Sequence, residues 1–507
     1  MKTKNKSQRS EIRSQKAEGG RLRWWTRTLA AGLVLLMTVS VYAQQPDRSK
    51  PPELGPAQEL KLPPLERHKL SNGISVVLME KHGVPLVQIN LLIGAGSALD
   101  PAGKSGLASL AADMMDEGAG RRNALELADA IDFLGASIST FSGLHTSAVV
   151  LHTPLSKVEQ AIPLMADIAM RPTFPADELD RKRKERLTTL MQWHDEPRAI
   201  ASVLFNKTLF GAQHPYGVPT LGNEQSLRSF NVEDLKYYHA ANFHADNATL
   251  IIVGDITAKR ILPKLEASFG KWGKKTTMKT SAPSAKQVET RRVYLVDKPG
   301  AAQSEVRIGR IGVERTTQDY FAILVMNTVL GGSFTSRLNQ NLRETHGYSY
   351  GAFSGFDFRP MPGPFIASAA VQTAVTDKAL TEFMKELTGI LQPVSDEELT
   401  RAKNYLALGY PDNFQSVAQI AGQLGEIVTY NLPDDYFNTY IQRVQAITKA
   451  DVERVAKKYL DPEKVAIIIV GDGSVIEQGV RALNLGPMVI LSIDDVLGKA
   501  PAMESKD

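Results

Sequence analysis

A short stretch of the chain has the spacing of a metal site but lacks the residues that bind metal. Residues 103–120 read GKSGLASLAADMMDEGAG, and their apolar residues recur at helical spacing. Ser109, Ala112 and Asp113 lie at the i, i+3 and i+4 positions of one turn, a spacing at which His, Glu and His side chains on one helical face can form a zinc site. A catalytic zinc ion needs three protein ligands, an open position for water, and a base. This helix offers at most one oxygen ligand, Asp113, so we predict that it binds no metal.

The histidines elsewhere do not supply the missing ligands. Neither His-x-x-Glu-His nor His-Glu-x-x-His occurs in the 507 residues. The closest two of the nine histidines, His239 and His244, are five residues apart and lie off one helical face. The chain has no Cys, which excludes disulfides and thiolate metal sites.

A second stretch carries two donors suited to a negatively charged reaction centre. NLRETHGYSYGAFSG, residues 341–355, contains Arg343 and Tyr350, seven residues apart. A guanidinium and a phenol are fixed donors that stabilise a developing negative charge. Arg and Tyr are also common in structural ion pairs and on half-buried surfaces. A helix-end Arg and a packed Tyr are therefore the alternative interpretation.

The elements that position these residues occur twice. ATLIIVGDI at residues 248–256 recurs as VAIIIVGDG at 465–473, with Asp255 and Asp472 217 residues apart. The helix before each copy and the strand that begins each half repeat with the same step. This constant step predicts two similar lobes, residues 66–275 and 290–480, joined by a polar linker at 276–289. Two unrelated domains that share one strand-turn motif are the alternative.

Each predicted lobe mixes strands and helices. Two β-branched strands, ISVVLME and VPLVQINLLIGAG, precede amphipathic helices such as VEQAIPLMADIAM and a closing strand, TLIIVGD. Strands grouped together, with helices segregated to one side, favour an α+β class over a doubly wound sheet. We predict two tandem α+β lobes, each a mainly antiparallel sheet with helices on one side.

The N-terminus has the pattern of a bacterial export signal. The whole chain has a net charge of +4, and nine of its Lys and Arg residues lie among the first 27. The remaining residues are therefore slightly negative in total, which does not indicate nucleic-acid binding. A 13-residue apolar run then ends at Val41-Tyr42-Ala43, a small-x-small cleavage pattern. We predict a cleaved signal peptide at 1–43, a periplasmic or secreted protein, and no stable membrane insertion. An uncleaved anchor is the alternative. Residues 44–65 are predicted to be a Pro-rich extended arm, and 481–507 a C-terminal extension.

Several motifs together resemble the pitrilysin/insulinase family of inverted-motif zinc peptidases, over residues 66–480. They are GAGSALDPAGKSGLA before the first helix, HPYGVPTLG at 214–222, IIVGD closing each half, and LGGSFTSRLNQNLRETHGYSYGAFSGF in the second half. The resemblance implies two α+β lobes of similar fold. In the catalytic type, the helix of the first lobe carries His-x-x-Glu-His.

The resemblance implies a degenerate zinc site in the first lobe. The family pattern Gly-Leu-Ala-His-x-x-Glu-His-Met lies over GLASLAADM, residues 106–114, without a gap. It places Ser109 and Asp113 at the two histidine ligands and Ala112 at the general base. The distal glutamate ligand falls on Thr189. We therefore expect no metal ligand and no cofactor in this chain.

The resemblance also implies substrate contacts. In catalytic members an Arg and a Tyr at this spacing contact the substrate backbone and the oxyanion, which implies these roles for Arg343 and Tyr350. Gly331 and Gly332 resemble, weakly, a glycine-rich loop that handles substrate in noncatalytic processing-peptidase chains. Ser139, in SISTFSG, takes the place of an Asn on an edge strand that pairs with peptide in catalytic members, which implies substrate binding at Ser139.

These assignments predict a noncatalytic subunit of a heterodimeric metallopeptidase. A zinc-bearing pitrilysin-type partner would supply the metal, and this chain would supply Arg343 and Tyr350 to a shared cavity for peptide substrates. The alternative is a peptide-binding or scaffold protein without a catalytic role, comparable to the core subunits of the respiratory bc1 complex. A closed or blocked cavity would favour it. A self-sufficient zinc peptidase would require ligands that the sequence does not contain.

Overall fold

The computed structural model describes residues 55, 59–276 and 283–502. The predicted signal peptide, most of the predicted arm and part of the predicted linker lie outside these ranges. Both lobes belong to one compact unit, Ala57–Asp507. None of the helices in the described ranges is long and apolar enough to cross a membrane.

The first lobe is built on a six-stranded sheet. The strands of this sheet are β1 (Glu66–Lys69), β2 (Ser75–Glu80), β3 (Leu86–Ile93), β6 (Ser137–Ser142), β7 (Ser147–Pro154) and β8 (Ala248–Gly254). Strands β4 (Gly118–Ala119) and β5 (Arg122–Asn123) form a separate two-stranded ribbon. The helices are α1 (Leu107–Asp113), α2 (Ala124–Asp132), α3 (Val158–Met170), α4 (Ala176–Trp193), α5 (Pro197–Phe210), α6 (Glu224–Ser229), α7 (Val232–Asn242) and α8 (Ala258–Phe269). The sheet order is β1-β2-β8-β3-β7-β6, in which β2 and β8 are parallel and the other neighbours antiparallel.

The second lobe repeats this plan. Its strands are β9 (Arg292–Asp297), β10 (Gln303–Ile311), β11 (Ser349–Phe356), β12 (Pro364–Gln372), β13 (Ala466–Gly471) and β14 (Met488–Leu491). The helices are α9 (Tyr320–Leu330), α10 (Arg337–Asn339), α11 (Thr376–Gly389), α12 (Asp396–Gly409), α13 (Val417–Tyr430), α14 (Tyr436–Ala446), α15 (Lys449–Tyr459), α16 (Gly473–Ala482) and α17 (Ile493–Leu497). The sheet order is β11-β12-β10-β13-β9-β14, with β9 parallel to both β13 and β14.

The matching sheet orders confirm the predicted pair of mainly antiparallel α+β lobes. Strands β6-β7-β3-β8-β2 of the first sheet occupy the places of β11-β12-β10-β13-β9 in the second. The repeated IIVGD segments form β8 and β13, whose residues are almost all buried because both faces of these central strands are covered. The sixth strands differ: β1 leads the first sheet, whereas β14 comes from the predicted C-terminal extension.

Each sheet is covered on its second face by a helix from the other lobe. α5 of the first lobe packs against β13 and β10, and α13 of the second lobe packs against β8 and β3. Ile200 and Phe205 of α5 lie in one apolar cluster with Ile468 of β13. Helices therefore flank both faces, one more face than the sequence predicts, and the two lobes share core residues.

A glycine in β10 makes room for α5 on the sheet of the second lobe. Gly309 lies under Phe205, and a Cβ at position 309 would lie only 2.7 Å from the Cζ atom of that ring. Phe205 itself is 2% exposed. Close packing of this kind excludes water from the joint between the lobes.

The described end of the predicted arm ties the lobes together as well. Residues 59–65 have no regular secondary structure, and Leu60, Leu62 and Leu65 pack against the core of the second lobe. The backbone N–H of Leu62 donates a hydrogen bond of 3.2 Å to Asn438. This segment therefore leads from the first strand of one lobe onto the surface of the other.

Candidate functional site

Helix α1 carries positions 109, 112 and 113, and a buried turn fixes where it begins. Gly106 precedes the helix with φ +92°, and a Cβ there would lie 2.6 Å from the Leu221 carbonyl oxygen. The Asp100 carboxylate caps α1, because it accepts hydrogen bonds of 2.8 Å from the N–H groups of Gly106 and Ala108. Burial raises the pKa of the Asp100 carboxyl to about 7, against the opposing effect of these hydrogen bonds.

The side chains at positions 109 and 113 are joined by Arg186 of α4, a residue that the sequence alone does not indicate. Its Nη1 donates a hydrogen bond of 2.8 Å to the Ser109 hydroxyl, and its Nη2 pairs with the Asp113 carboxylate. Arg186 is 6% exposed, whereas the Asp113 side chain is 43% exposed. The Ser109 hydroxyl in turn donates to the Thr220 carbonyl, 2.6 Å away. A buried cation thus lies between the two positions at which the resemblance places histidine ligands.

The other two positions of the degenerate site take no part in this contact. Ala112 is buried, and its carbonyl accepts a hydrogen bond of 2.7 Å from the Thr140 hydroxyl, which fastens β6 to α1. Thr189 follows Arg186 by one turn of α4, and its hydroxyl donates to the Glu185 carbonyl of the same helix, 3.1 Å away. The structure therefore brings Ser109 and Asp113 together and leaves Thr189 outside the cluster.

These residues do not fit a zinc ion. The carboxylate of Asp113 is paired with a guanidinium, and the hydroxyls of Ser109 and Thr189 donate to backbone carbonyls. Zinc in proteins prefers imidazole, thiolate or a free carboxylate. Across residues 59–276 and 283–502, no group of three or more His, Asp and Glu side chains is arranged to hold a metal ion. The residues of this cluster support no metal-dependent step.

Arg186 could have been suspected from charge but not from spacing. The family spacing points to position 189, where the chain has Thr, and the Arg that contacts Asp113 is 73 residues away in sequence. The relevant signal is a basic residue one helical turn before the expected ligand. Only the packing of α4 beside α1 shows that its side chain reaches positions 109 and 113.

Ser139 lies on the open edge of the first sheet. β6 is the last strand, and its residues alternate between exposed and half-buried. Ser139 is exposed, and Phe141, two residues on, is 50% exposed. β6 pairs with β7 on one side, and no hydrogen bond from another described segment reaches the backbone on its other side.

Tyr350 lies in β11, the edge strand of the second sheet. The register of β11 against β12 shifts between Ser349 and Ala352, so Tyr350 is part of a β-bulge. Its side chain is 91% exposed. Bulges commonly re-aim a side chain beside a functional site.

Arg343 precedes this strand in a π-helical turn, Gln340–Thr345, that continues α10. Its guanidinium lies 4.5 Å from the centre of the Phe334 ring and 3.5 Å from the Glu344 carboxylate. π-helical turns are rare and are frequent at functional sites. The two donors predicted from the sequence thus lie on either side of one turn, each in an irregular backbone segment.

Gly331 and Gly332 pack against the outer edge of β11. The Gly331 carbonyl accepts a hydrogen bond of 3.1 Å from the Ser354 N–H, and a Cβ at Gly331 would collide with Ser354. A Cβ at Gly332 would lie 2.7 Å from the side chain of Asn327, which donates to the Ser354 carbonyl. The glycine pair therefore lets the loop cover this edge, and this packing accounts for both residues.

Two family sequence models match the chain. The model described as "Insulinase (Peptidase family M16)" matches residues 75–222. The model described as "Peptidase M16 inactive domain" matches residues 229–406. The matches adjoin each other, and between them they include α1, Arg186, Arg343 and Tyr350.

The chain is also similar in sequence to proteins named as zinc proteases. An uncharacterized zinc protease of Bacillus subtilis (strain 168) is 27% identical over 290 residues, 57% of this chain and 69% of that protein. One of Mycobacterium tuberculosis (strain ATCC 25618 / H37Rv) is 23% identical over 423 residues, 80% of this chain and 93% of that protein.

Solved structures share the fold. The peptidase M16 inactive domain from Pseudomonas fluorescens has a TM-score of 0.76 at 26% identity, covering 80% of this chain and 98% of that one. A protease from Helicobacter pylori has a TM-score of 0.72 at 19% identity, covering 81% and 100%. From the two sequence models and the two-lobed fold, the chain belongs to the pitrilysin/insulinase family, peptidase family M16.

Proposed function

We propose that this chain is the noncatalytic subunit of a two-chain M16 peptidase, which binds peptide and lends Arg343 and Tyr350 to a zinc-bearing partner. The inactive-domain match, the related fold from Pseudomonas fluorescens and the lack of a metal-binding group in the described ranges fit a noncatalytic family member. The heterodimer and the shared site are the finer part of the proposal. They rest on one further observation, the exposure of Tyr350.

Tyrosine usually buries most of its ring and finds a hydrogen-bond partner for its hydroxyl. Tyr350 is instead 91% exposed, and its hydroxyl makes no hydrogen bond in the described ranges. Packing within this chain therefore does not explain the residue. A phenol held outward on a bulge is available to donate to a ligand that another surface holds.

Arg343 is oriented but not neutralised. Its only carboxylate neighbour in the described part of the chain, Glu344, lies 3.5 Å away, and both side chains are at least one-third exposed. Surface ion pairs of this kind contribute about 0–1 kcal/mol. The ring of Phe334, itself 57% exposed, supports the guanidinium from one side. The guanidinium N–H groups therefore keep their capacity to bind a peptide carbonyl or an oxyanion.

The contrast between the two edge strands supports peptide binding on the first lobe. The outer side of β11 is occupied, because the Gly331 carbonyl and the Asn327 amide bond both backbone groups of Ser354. The outer side of β6, which includes Ser139, has no such cover in the described residues. An uncovered edge strand accepts an extended peptide by adding it to the sheet. We assign substrate binding to β6 and a packing role to Gly331 and Gly332.

In the proposed pair the metal chemistry belongs to the partner chain, whose zinc would polarise the scissile carbonyl and activate water. The residues of this chain bind and orient the peptide and donate hydrogen bonds to the developing oxyanion. The carboxylate and hydroxyl of the degenerate site serve neither purpose, since they are bonded to Arg186 and to the backbone.

A scaffold protein without a catalytic role is the second candidate. Two observations favour it: Arg186 fills the degenerate site, and the exchange of α5 and α13 joins the lobes through a shared core. Both candidates bind a partner. They differ in whether Arg343 and Tyr350 affect turnover.

Co-purification and peptidase assays test the proposal. The tagged mature chain and a zinc-bearing M16 chain of the same bacterium are expressed separately and together. We expect a complex that cleaves a fluorogenic peptide library, while each chain alone cleaves little or none. A partner that cleaves equally well without this chain would favour the scaffold. Failure to associate with any zinc-bearing M16 chain of that bacterium would contradict the heterodimer.

We also propose that the mature chain acts outside the cytoplasm, in the periplasm or as a secreted protein. Support comes from the basic N-terminus, the short apolar run and the Val41-Tyr42-Ala43 pattern, all of which lie outside the described residues.

A further inference from the structure

Arg186 is a buried cation at the place where catalytic family members would hold a metal ion. We infer that its guanidinium substitutes for that ion: it joins α1 to α4 by charge, and it keeps a metal ion out even when ligands are restored. This role belongs to the first lobe alone and does not depend on the proposed pairing with a second chain.

The position of the guanidinium follows from its contacts. Side chains at positions 109 and 113 lie one turn apart on α1 and converge on one point. Arg186 occupies that point, since Nη1 lies 2.8 Å from the Ser109 hydroxyl and Nη2 contacts the Asp113 carboxylate. Nη1 also lies 3.4 Å from the Leu221 carbonyl oxygen and 3.5 Å from that of Gly106. Four oxygen atoms thus lie within 3.5 Å of the terminal nitrogens of the guanidinium, whereas its buried Nε has no hydrogen-bond partner in the described residues.

A zinc ion and this guanidinium exclude each other. Zinc lies about 2.0–2.1 Å from a ligand nitrogen, so it would need the space between positions 109 and 113 that the guanidinium fills. Two positive charges would also repel strongly where the arginine is only 6% exposed. Substitutions that restore the ligands alone would leave the metal position occupied.

The unequal burial of Arg186 and Asp113 predicts how the unfolding temperature changes when either side chain is substituted. Arg186 is almost fully buried, and Asp113 is the one carboxylate in the described residues that pairs with it directly; Asp100 interacts with it only at longer range, so loss of the Asp113 charge leaves the buried cation without a direct ion pair. Asp113 is 43% exposed, so water can solvate its carboxylate when Arg186 is absent. Asp113→Asn should therefore lower the unfolding temperature more than the double variant Asp113→Asn with Arg186→Met.

Zinc content is the first test. A four-fold variant (Ser109→His, Ala112→Glu, Asp113→His and Thr189→Glu) is compared with a five-fold variant that adds Arg186→Ala. After dialysis we expect about one zinc ion per chain in the five-fold variant and only background metal in the four-fold variant. Stoichiometric zinc in the four-fold variant would overturn the inference. So would a folded five-fold variant that holds no more zinc than the four-fold one.

Thermal unfolding provides a test that does not need a rebuilt site. The variants Asp113→Asn, Arg186→Met and their combination are compared with Glu224→Gln, which breaks an exposed helical pair, Glu224 and Arg228, in the same lobe. We expect the unfolding temperature to fall clearly for Asp113→Asn, to recover in the double variant, and to show no measurable change for Glu224→Gln. If the effects of the two single substitutions simply add, the guanidinium does not depend on Asp113 and the inference fails.

Discussion

Removing the hydroxyl of Tyr350 tests the proposed function at one atom. Tyr350→Phe keeps the ring and deletes the donor. Because the side chain is 91% exposed and makes no hydrogen bond in the described ranges, nothing in the folded chain should respond. Exposed substitutions away from special features change stability by less than about 0.5 kcal/mol. Folding and association with the partner should therefore match the unmodified chain.

Turnover should respond strongly if Tyr350 donates to the oxyanion. Loss of one such donor lowers kcat by roughly 100- to 1000-fold, equivalent to about 2.7–4 kcal/mol of transition-state stabilisation. KM should change little, since the hydroxyl contributes mainly in the transition state. Arg343→Ala should differ: it removes a charged group that can also bind the ground-state peptide, so KM should rise as kcat falls.

The assay measures kcat and KM of the reconstituted complex, with complex formation checked by size-exclusion chromatography. Tyr237→Phe is the matched control, because Tyr237 is a 69% exposed tyrosine on α7 of the first lobe that the proposal does not use. We expect Tyr237→Phe to leave kcat unchanged. If the complex with Tyr350→Phe cleaves peptide as fast as that control, Tyr350 is no donor and the scaffold candidate is favoured.

Three further predictions follow from the site, the joint between the lobes and the N-terminus. The purified chain alone should hold no stoichiometric zinc after dialysis and should hydrolyse no peptide; about one tightly held zinc per chain in metal analysis would contradict this, because three-ligand sites retain zinc well. Phe205→Ala should destabilise the protein by about 3–5 kcal/mol, since this buried ring packs on the sheet of the other lobe. Urea unfolding of this variant should show one transition for both lobes, shifted to lower urea concentration. Two separate transitions would show that the lobes unfold independently. The exported protein should begin near Gln44 in N-terminal sequencing, and an intact Met1 in the membrane fraction would refute cleavage.

Features carried by local pattern could be predicted from the sequence. The repeated IIVGD segments, predicted to be the closing strand of each half from their apolar, β-branched residues, form the strands β8 and β13. SISTFSG, which the family resemblance places on an edge strand, forms the half-exposed edge strand β6. The spacing of Ser109, Ala112 and Asp113 placed them on α1, at the positions that the family motif requires. In each case a few neighbouring residues determine the result.

Features that depend on packing between distant segments could not be predicted. Periodicity shows that α5 and α13 have apolar faces, but it does not show that each face covers the sheet of the other lobe. The contact of Arg186 with Asp113 likewise joins two helices that are distant in sequence. β14 pairs with β9, which lies at the other end of the second lobe's sequence, and nothing in the four residues of β14 indicates this pairing.

The exchange of α5 and α13 sets the order in which the chain can fold during synthesis. All strands of the first sheet have been translated by Gly254, yet the helix that covers the second face of β8 and β3 spans Val417–Tyr430. The nascent first lobe therefore carries an uncovered apolar surface until most of the second lobe has been translated. Such surfaces attract chaperones and promote aggregation. A gene fragment that encodes the first lobe alone should yield an insoluble product, whereas the two halves, produced together, should solubilise each other.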